Sequence, residues 1–164
     1  MGDSADAIVD VRKLWTAFGE GDRQVVIHKD LDLTITRGEV LTLVGGSGTG
    51  KTVLLRQMLG LESPYRGEVE VLGRPASELG RVGAASRVGM LFQQGALFSA
   101  FTVLENIAFP LRELKVFPPE LINDAALVKL QMVGLGAEHA NKMPADLSGG
   151  MIKRVALARA LSMD

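Results

Sequence analysis

The sequence predicts an α/β fold: a buried parallel strand passes through a glycine-rich loop into a helix, with an antiparallel β section before it and a helical section from about Gln93. Three patterns predict this. Residues 40–44 (Val-Leu-Thr-Leu-Val) are nearly continuously apolar, as a strand buried on both faces must be. Leu31, Leu33 and Ile35 alternate with Asp32 and Thr34, the period of a half-buried strand. Leu121, Ile122, Ala125, Leu127, Val128 and Leu130 recur at helical spacing.

In chain order, residues 8–15 alternate and read as a strand, and residues 18–22 as a turn. Residues 24–27 and 31–36 read as two further strands, separated by a polar stretch. After the turn at Arg37-Gly38 come the buried strand 40–44, the loop, and a helix over 51–59 stopped by Gly60. Residues 68–72 and 88–92 are apolar strands; 73–87, with Pro75, Gly80 and Gly83, are loop with one helical turn. Thr102 with Glu105 three residues on has capping-box spacing and opens a helix to 114. Pro118-Pro119-Glu120 opens another to 133, ended by Gly134 and Gly136. Residues 143–148 are loop, and 150–162 form the last helix.

Composition narrows the function. At 164 residues, with 47% apolar and 23% charged residues, the chain has the material for a core and not the profile of a disordered protein. A net charge of −1 speaks against a nucleic-acid binder working through bulk electrostatics. Cysteine is absent, which excludes disulfides, thiolate metal sites and a Cys nucleophile. His28 and His139 stand alone, so no zinc site is expected. No apolar run reaches the length of a membrane span, and an N-terminus with Asp3, Asp6 and Asp10 and no basic residue is not a secretory signal. The expected compartment is the cytoplasm.

Gly45-Gly46-Ser47-Gly48-Thr49-Gly50-Lys51-Thr52 carries the chemistry. It matches G-x-x-x-x-G-K-[ST], the phosphate loop, between a buried strand and a helix. At this chain's own residue frequencies roughly 0.008 chance matches are expected, so the match is informative. A phosphate chain has to be wrapped by backbone N–H groups, and glycines clear the approach. The helix that follows turns free N–H groups and the positive end of its dipole toward the anion. Lys51 is placed to reach the β- and γ-phosphates, and Thr52 to offer its hydroxyl to Mg²⁺.

Two later clusters specify which kind of P-loop protein this is. Gln93 ends a strand where the helical section begins, and Leu147-Ser148-Gly149-Gly150 opens the last helix. With these, the chain resembles the ATP-binding cassette (ABC) family over essentially its whole length. Residues 45–52 resemble its Walker A, Gln93 its Q-loop glutamine, and residues 147–151 its signature. The runs 90–98 (Met-Leu-Phe-Gln-Gln-Gly-Ala-Leu-Phe) and 101–113, with Met151 after the signature glycines, are similar to ATPase subunits of the phospholipid, Mce-type group (maintenance of lipid asymmetry, toluene tolerance).

The resemblance implies a P-loop core with its β section over 1–92, a helical subdomain over 93–150, and a signature helix returning to the core over 151–164. It implies an ATP-hydrolysing, energy-coupling subunit of a transporter, with ATP and Mg²⁺ as its ligands. Lys51, Gln93 and Ser148 would be catalytic. Thr52 and Gln93 would hold Mg²⁺. Gly45, Gly46, Ser47, Gly48, Thr49, Gly50, Lys51 and Thr52 would hold the nucleotide of their own subunit. Ser148, Gly149 and Gly150 would face the γ-phosphate held by a second, head-to-tail subunit. Phe18, or Trp15, would stack on adenine. The implied partners are that second ATPase subunit, in a homodimer, a transmembrane permease and an Mce-type lipid-binding protein, with no nucleic acid. The implied location is the inner face of the cell membrane, held through the permease. Phe98, Phe101 and Phe109 would form either a permease-facing patch or helical core.

In the family's pattern an apolar run ending in Asp-Glu (Walker B), a D-loop and a switch histidine follow the signature. Residues 1–164 contain none of them. The chain as given is therefore expected to bind nucleotide without turning it over, and strand 40–44 to have fewer neighbours, with the apolar faces meant to pack on them exposed. A non-catalytic nucleotide-binding fragment and a soluble ABC protein outside transport are the alternatives. Lys153, Arg154 and Arg159 are expected to form a solvated face, the alternative being contact with the partner cassette, and His28 is not the switch histidine, which in the family follows the signature.

Overall fold

The computed structural model describes residues 6–79, 88–92, 95–115 and 118–163. The chain divides into two units, residues 1–85 and 86–164.

The first unit is built on an antiparallel sheet of order β2-β1-β3-β4. Its strands are β1 (Ala7–Phe18), β2 (Val25–Thr36), β3 (Arg66–Val71) and β4 (Arg74–Pro75). The expected strands 24–27 and 31–36 are one continuous β2. Extra residues in the ladder absorb the polar stretch between them, where Asp30 has a φ of 52°. β1 has its own extra residue. Leu14 lies opposite Leu31 and Val11 opposite Leu33, three steps on β1 against two on β2, and Lys13 between them has a φ of 48°. Strict alternation would put positions 11 and 14 on opposite faces. The bulge turns both inward, and both are fully buried. Helix α1 (Lys51–Met58) packs on β3 and buries Leu54, Gln57 and Met58.

Residues 40–44 form no strand, although their exposure is as expected where later strands are missing. They pair with no strand among the described residues, and Val40 and Val44 are 91% and 89% exposed. The apolar run has the composition of a two-sided strand, but a strand exists only where a neighbour completes its ladder. Residues 88–92 are likewise unpaired among the described residues, with Leu91 and Phe92 exposed.

The second unit is helical: α2 (Val103–Leu114), α3 (Pro119–Met132) and α4 (Gly149–Leu161). Their shared core holds Val103, Ile107 and Leu111, Ile122, Ala126 and Leu130, and Val155 and Ala158. The capping box forms as its spacing predicts: Glu105 N–H donates to Thr102 Oγ1 at 3.2 Å, and Thr102 N–H to Glu105 Oε2 at 2.8 Å. Asn106, fully buried, organises the turn before α2. Its Oδ1 accepts from Phe98 N–H at 2.8 Å, and its Nδ2 donates to the carbonyls of Phe98, Phe101 and Thr102 at 2.9–3.1 Å.

Candidate functional site

The phosphate loop emerges from the exposed segment 40–44 and ends where α1 begins. Gly50 caps α1 in a left-handed conformation (φ 89°, ψ 1°), and no side chain accepts from the helix's first N–H groups. The first turn holds no acidic residue. A helix start without a side-chain cap and without a carboxylate is an unsatisfied positive dipole end, which favours an anion. A Cβ at Gly46 or Gly48 would meet nothing within 4 Å, so the loop is open to a bulky ligand. A Cβ at Gly50, by contrast, would strike Ile27 and His28 of β2. Only glycine suits that position, for its left-handed φ and for the space.

Ile27, Ser47, Gly48, Thr49, Gly50, Lys51, Thr52 and Val53 line a cavity of about 250 Å³ here. Lys51 Nζ donates to the carbonyls of Gly45 (2.8 Å) and Gly46 (2.5 Å), which curls the ammonium over the loop. Thr49 Oγ1 closes the same turn by donating to Gly46 O at 3.0 Å. Thr52 is exposed in the first turn of α1, so its hydroxyl has the access that a hydrated cation needs.

Phe18 ends β1, pairs with Val25 and is 45% exposed. Trp15 lies one turn of pleat away, and Lys29 Nζ stands 5.6 Å from its ring centroid. Gln93 lies outside the described residues. In the second unit Ser148 is the N-cap of α4, its Oγ accepting from Met151 N–H at 3.3 Å. Gly149 and Gly150 are exposed, and a Cβ at either would meet nothing within 4 Å. Residues 148–150 are therefore a second glycine-bearing helix N-terminus, capped by Ser148 and with no acid in its first turn. The structure brings residues 45–52 together with Ile27 and His28 inside the first unit and presents Ser148–Gly150 on the second.

One expectation about side chains needs correction. Of the three basic residues on α4, Lys153 and Arg154 are exposed as expected, and Arg159 is half-buried. Arg154 donates to Gly134 O at 3.1 Å. Arg159 donates to Ala96 O at 2.8 Å and Gly95 O at 2.9 Å, and stacks 5.6 Å from the Phe98 ring centroid. Burial lowers its pKa from the ordinary value. Backbone carbonyls left without partners in tight turns recruit the nearest guanidinium donors. His28 adjoins the loop, against Gly50. Its signal was Gln57: a polar residue on the same helical stripe as Leu54 and Met58 must find a partner inside.

Phe98, Phe101 and Phe109 form a ring cluster with centroids 4.8–5.8 Å apart. Phe98 is 42% exposed, so the cluster is neither fully core nor fully surface. Among the described residues, no helix is long and apolar enough to cross a membrane.

Comparison with known proteins agrees with this geometry. A family model described as ABC transporter matches residues 28–164. The chain is 41% identical over 160 residues to the intermembrane phospholipid transport system ATP-binding protein MlaF of Haemophilus influenzae, covering 96% of this chain and 59% of that protein. Against MlaF of Escherichia coli K12 it is 40% identical over 167 residues, covering 100% of this chain and 60% of that protein. The chain thus spans about 60% of the length of these curated relatives. Among solved structures, the ATP-binding cassette MJ0796, in a dimeric post-hydrolysis state bound to ADP and Pi, matches with a TM-score of 0.82 at 31% identity, over 94% of this chain and 69% of that one. CbiO1 from Clostridium perfringens, part of the ABC transporter complex cbiONQ, matches with a TM-score of 0.77 at 30% identity, over 96% of this chain and 62% of that one.

Proposed function

This chain belongs to the ABC transporter family, and from that premise we propose that it is the ATP-binding, energy-coupling part of a transporter whose cargo is phospholipid. The observation that carries the reading is the phosphate loop itself: open glycines and a lysine at an α1 start with neither side-chain cap nor acid. That arrangement suits a polyphosphate and little else. The lipid assignment rests on the MlaF relatives, whose names carry that cargo.

In this reading the N–H groups from Gly48 to Thr52 cradle the phosphates, and Lys51 leaves its loop carbonyls to meet their charge. Thr52 suits Mg²⁺ because its hydroxyl is accessible on the cavity wall; Gln93 is the second expected ligand. When bound, Mg²⁺ neutralises charge on the phosphate oxygens. Phe18 stacks on the adenine. Ser148, Gly149 and Gly150 face the γ-phosphate held by the partner of a head-to-tail homodimer, so that ATP joins the two subunits and its hydrolysis releases them. Phe98, Phe101 and Phe109 offer the permease an aromatic contact, and an Mce-type protein delivers or receives the lipid. The subunit then works on the inner face of the membrane.

Replacing Lys51 with Ala tests the site directly. Charge-assisted bonds to phosphate are worth roughly 1.5–3 kcal/mol each, so ATP affinity should fall about ten- to a hundredfold in an equilibrium titration. Unchanged affinity would remove the loop from the nucleotide site.

A further inference from the structure

Beneath the phosphate loop runs a buried chain of polar side chains. Thr16 of β1 and Gln57 of α1 are 2% and 1% exposed. Thr16 Oγ1 donates to Gln57 Oε1 at 3.0 Å, and His28 Nδ1 of β2 lies 2.9 Å from the same hydroxyl. A hydroxyl has one proton to give. Once it is spent on Gln57, Thr16 can only accept from His28, so Nδ1 carries the imidazole hydrogen and Nε2 is left bare. Nε2 is the atom that stands against Gly50: a Cβ there would come within 2.5 Å of it.

The sheet is deformed to allow this. Ala17 pairs with Val26 and Thr16 with His28, so β2 has one residue more than β1 between these pairs. That residue is Ile27. The bulge lets two consecutive side chains, Ile27 and His28, press on Gly50 together. The contacts close a circuit: Gly50 opens α1, α1 carries Gln57, Gln57 binds Thr16, Thr16 binds His28, and His28 returns to Gly50. The circuit is not optimised for stability, because Gln57 Nε2 is buried without a hydrogen-bond partner. A leucine at 57 would fit the stripe of Leu54 and Met58 without that cost, and a retained buried polar group of this kind calls for a reason.

We propose that His28 is a positioning residue of the nucleotide site, holding Gly50 and the start of α1 in their phosphate-binding shape through Thr16 and Gln57 before the nucleotide arrives. The proposal rests on residues 45–52 being that site. Glycine loses the most conformational freedom on ordering. A loop ordered in advance spares the ligand that loss, so the circuit should act on nucleotide affinity rather than on the chemical step.

The test is calorimetric titration of ADP into the full-length protein and its Lys51→Ala, His28→Phe and Thr16→Val variants, with KM and kcat for ATP beside it. Phenylalanine fills the imidazole's space without its donor, and valine keeps threonine's shape without its hydroxyl. Each should raise the dissociation constant and KM about tenfold while kcat stays within about twofold; Thr16→Val, which strands the buried Gln57 amide, should also lower the melting temperature, whereas His28→Phe should not. The double variant should be no worse than either single one, since one circuit is cut once. Wild-type affinity in both variants, with binding lost in Lys51→Ala, would overturn the inference and leave the nucleotide site standing. Unchanged binding in Lys51→Ala would take both readings down. Nitrogen NMR of the nucleotide-free wild type needs no variant: an Nδ1–H tautomer at His28 is expected, and an Nε2–H tautomer would refute the circuit.

Discussion

His28 shows how much one side chain can change in meaning between sequence and structure. As a lone histidine it supports no ligand set. In the fold it is a partly buried, neutral ring between Thr16 and Gly50. Burial is the cause that lowers its pKa below the ordinary 6.5. The unfolded chain therefore takes up a proton near pH 6.5 that the folded chain still refuses. Between those two titrations the unfolded state binds more protons, so stability rises with pH and is lost as pH falls below 6.5. Thermal melts from pH 7 down to 5 should show a modest decline for the wild type and a flatter profile for His28→Phe. The carboxylates held below their ordinary range by hydrogen bonds, Asp32 by Lys13, Glu39 by Thr36 and Glu105 by Thr102, lose their contribution only below about pH 4.5 and do not obscure this window. An equally steep decline in His28→Phe would place the responsible group elsewhere.

At the scale of elements, α2 and α4 are fastened at their ends by side chains that reach backbone. The capping box of α2 saturates its first turn locally. Asn106, one residue on from Glu105, instead holds four polar groups of the turn around Phe98 and Phe101. Thr102→Ala should cost about 1 kcal/mol, as helix caps do. Asn106→Ala strips the side-chain partner from Phe98 N–H and the Phe101 carbonyl, while the Phe98 and Thr102 carbonyls keep backbone donors, and with the hole left in a buried site it should cost about 3 kcal/mol. Urea unfolding of the two variants checks the order, and a smaller loss for Asn106→Ala would mean that the turn finds other partners. Arg159 works similarly from α4: residues 95 and 96 both have positive φ (77° and 46°), and its guanidinium binds both their carbonyls.

For the whole molecule, two helix starts matter most, an uncapped one at Gly50 and one capped by Ser148. They lie in different units of the chain, each with glycines and no acid in the first turn. If the second serves a partner's ATP, Gly149→Glu should leave ATP binding by a single subunit nearly intact and abolish ATP-driven pairing and hydrolysis by the full-length protein. Mixing Gly149→Glu subunits with Lys51→Ala subunits should restore activity. Half of the sites in each mixed dimer then carry both lesions and the other half carry neither. No recovery, with mixed dimers shown to form, would mean that both sites must fire together or that Ser148 and Gly149 work in cis, and would overturn the simple trans-site arrangement. Phosphate release by residues 1–164 alone should be undetectable, because no Asp-Glu pair follows an apolar run within them.

The features legible in the sequence are those set by neighbours in the chain. The phosphate loop, the capping box at Thr102 and Glu105 and the spans of all four helices follow from residue type at fixed short spacing. The sheet was less legible. A period of two assumes no extra residues, and bulges at Lys13, Ile27 and Asp30 each reverse which face a side chain takes. Val11 with Leu14, and Ile27 with His28, share a face only because the packed sheet accepts those insertions. The same limit explains residues 40–44: their composition suits a strand with two neighbours, but whether a strand forms depends on hydrogen bonds to a segment that local composition does not name. Sequence alone therefore determined the phosphate-binding chemistry, whose donors are consecutive backbone groups. Tertiary structure decided what stands behind Gly50, because Thr16, His28 and Gln57 meet only after two strands and a helix have packed.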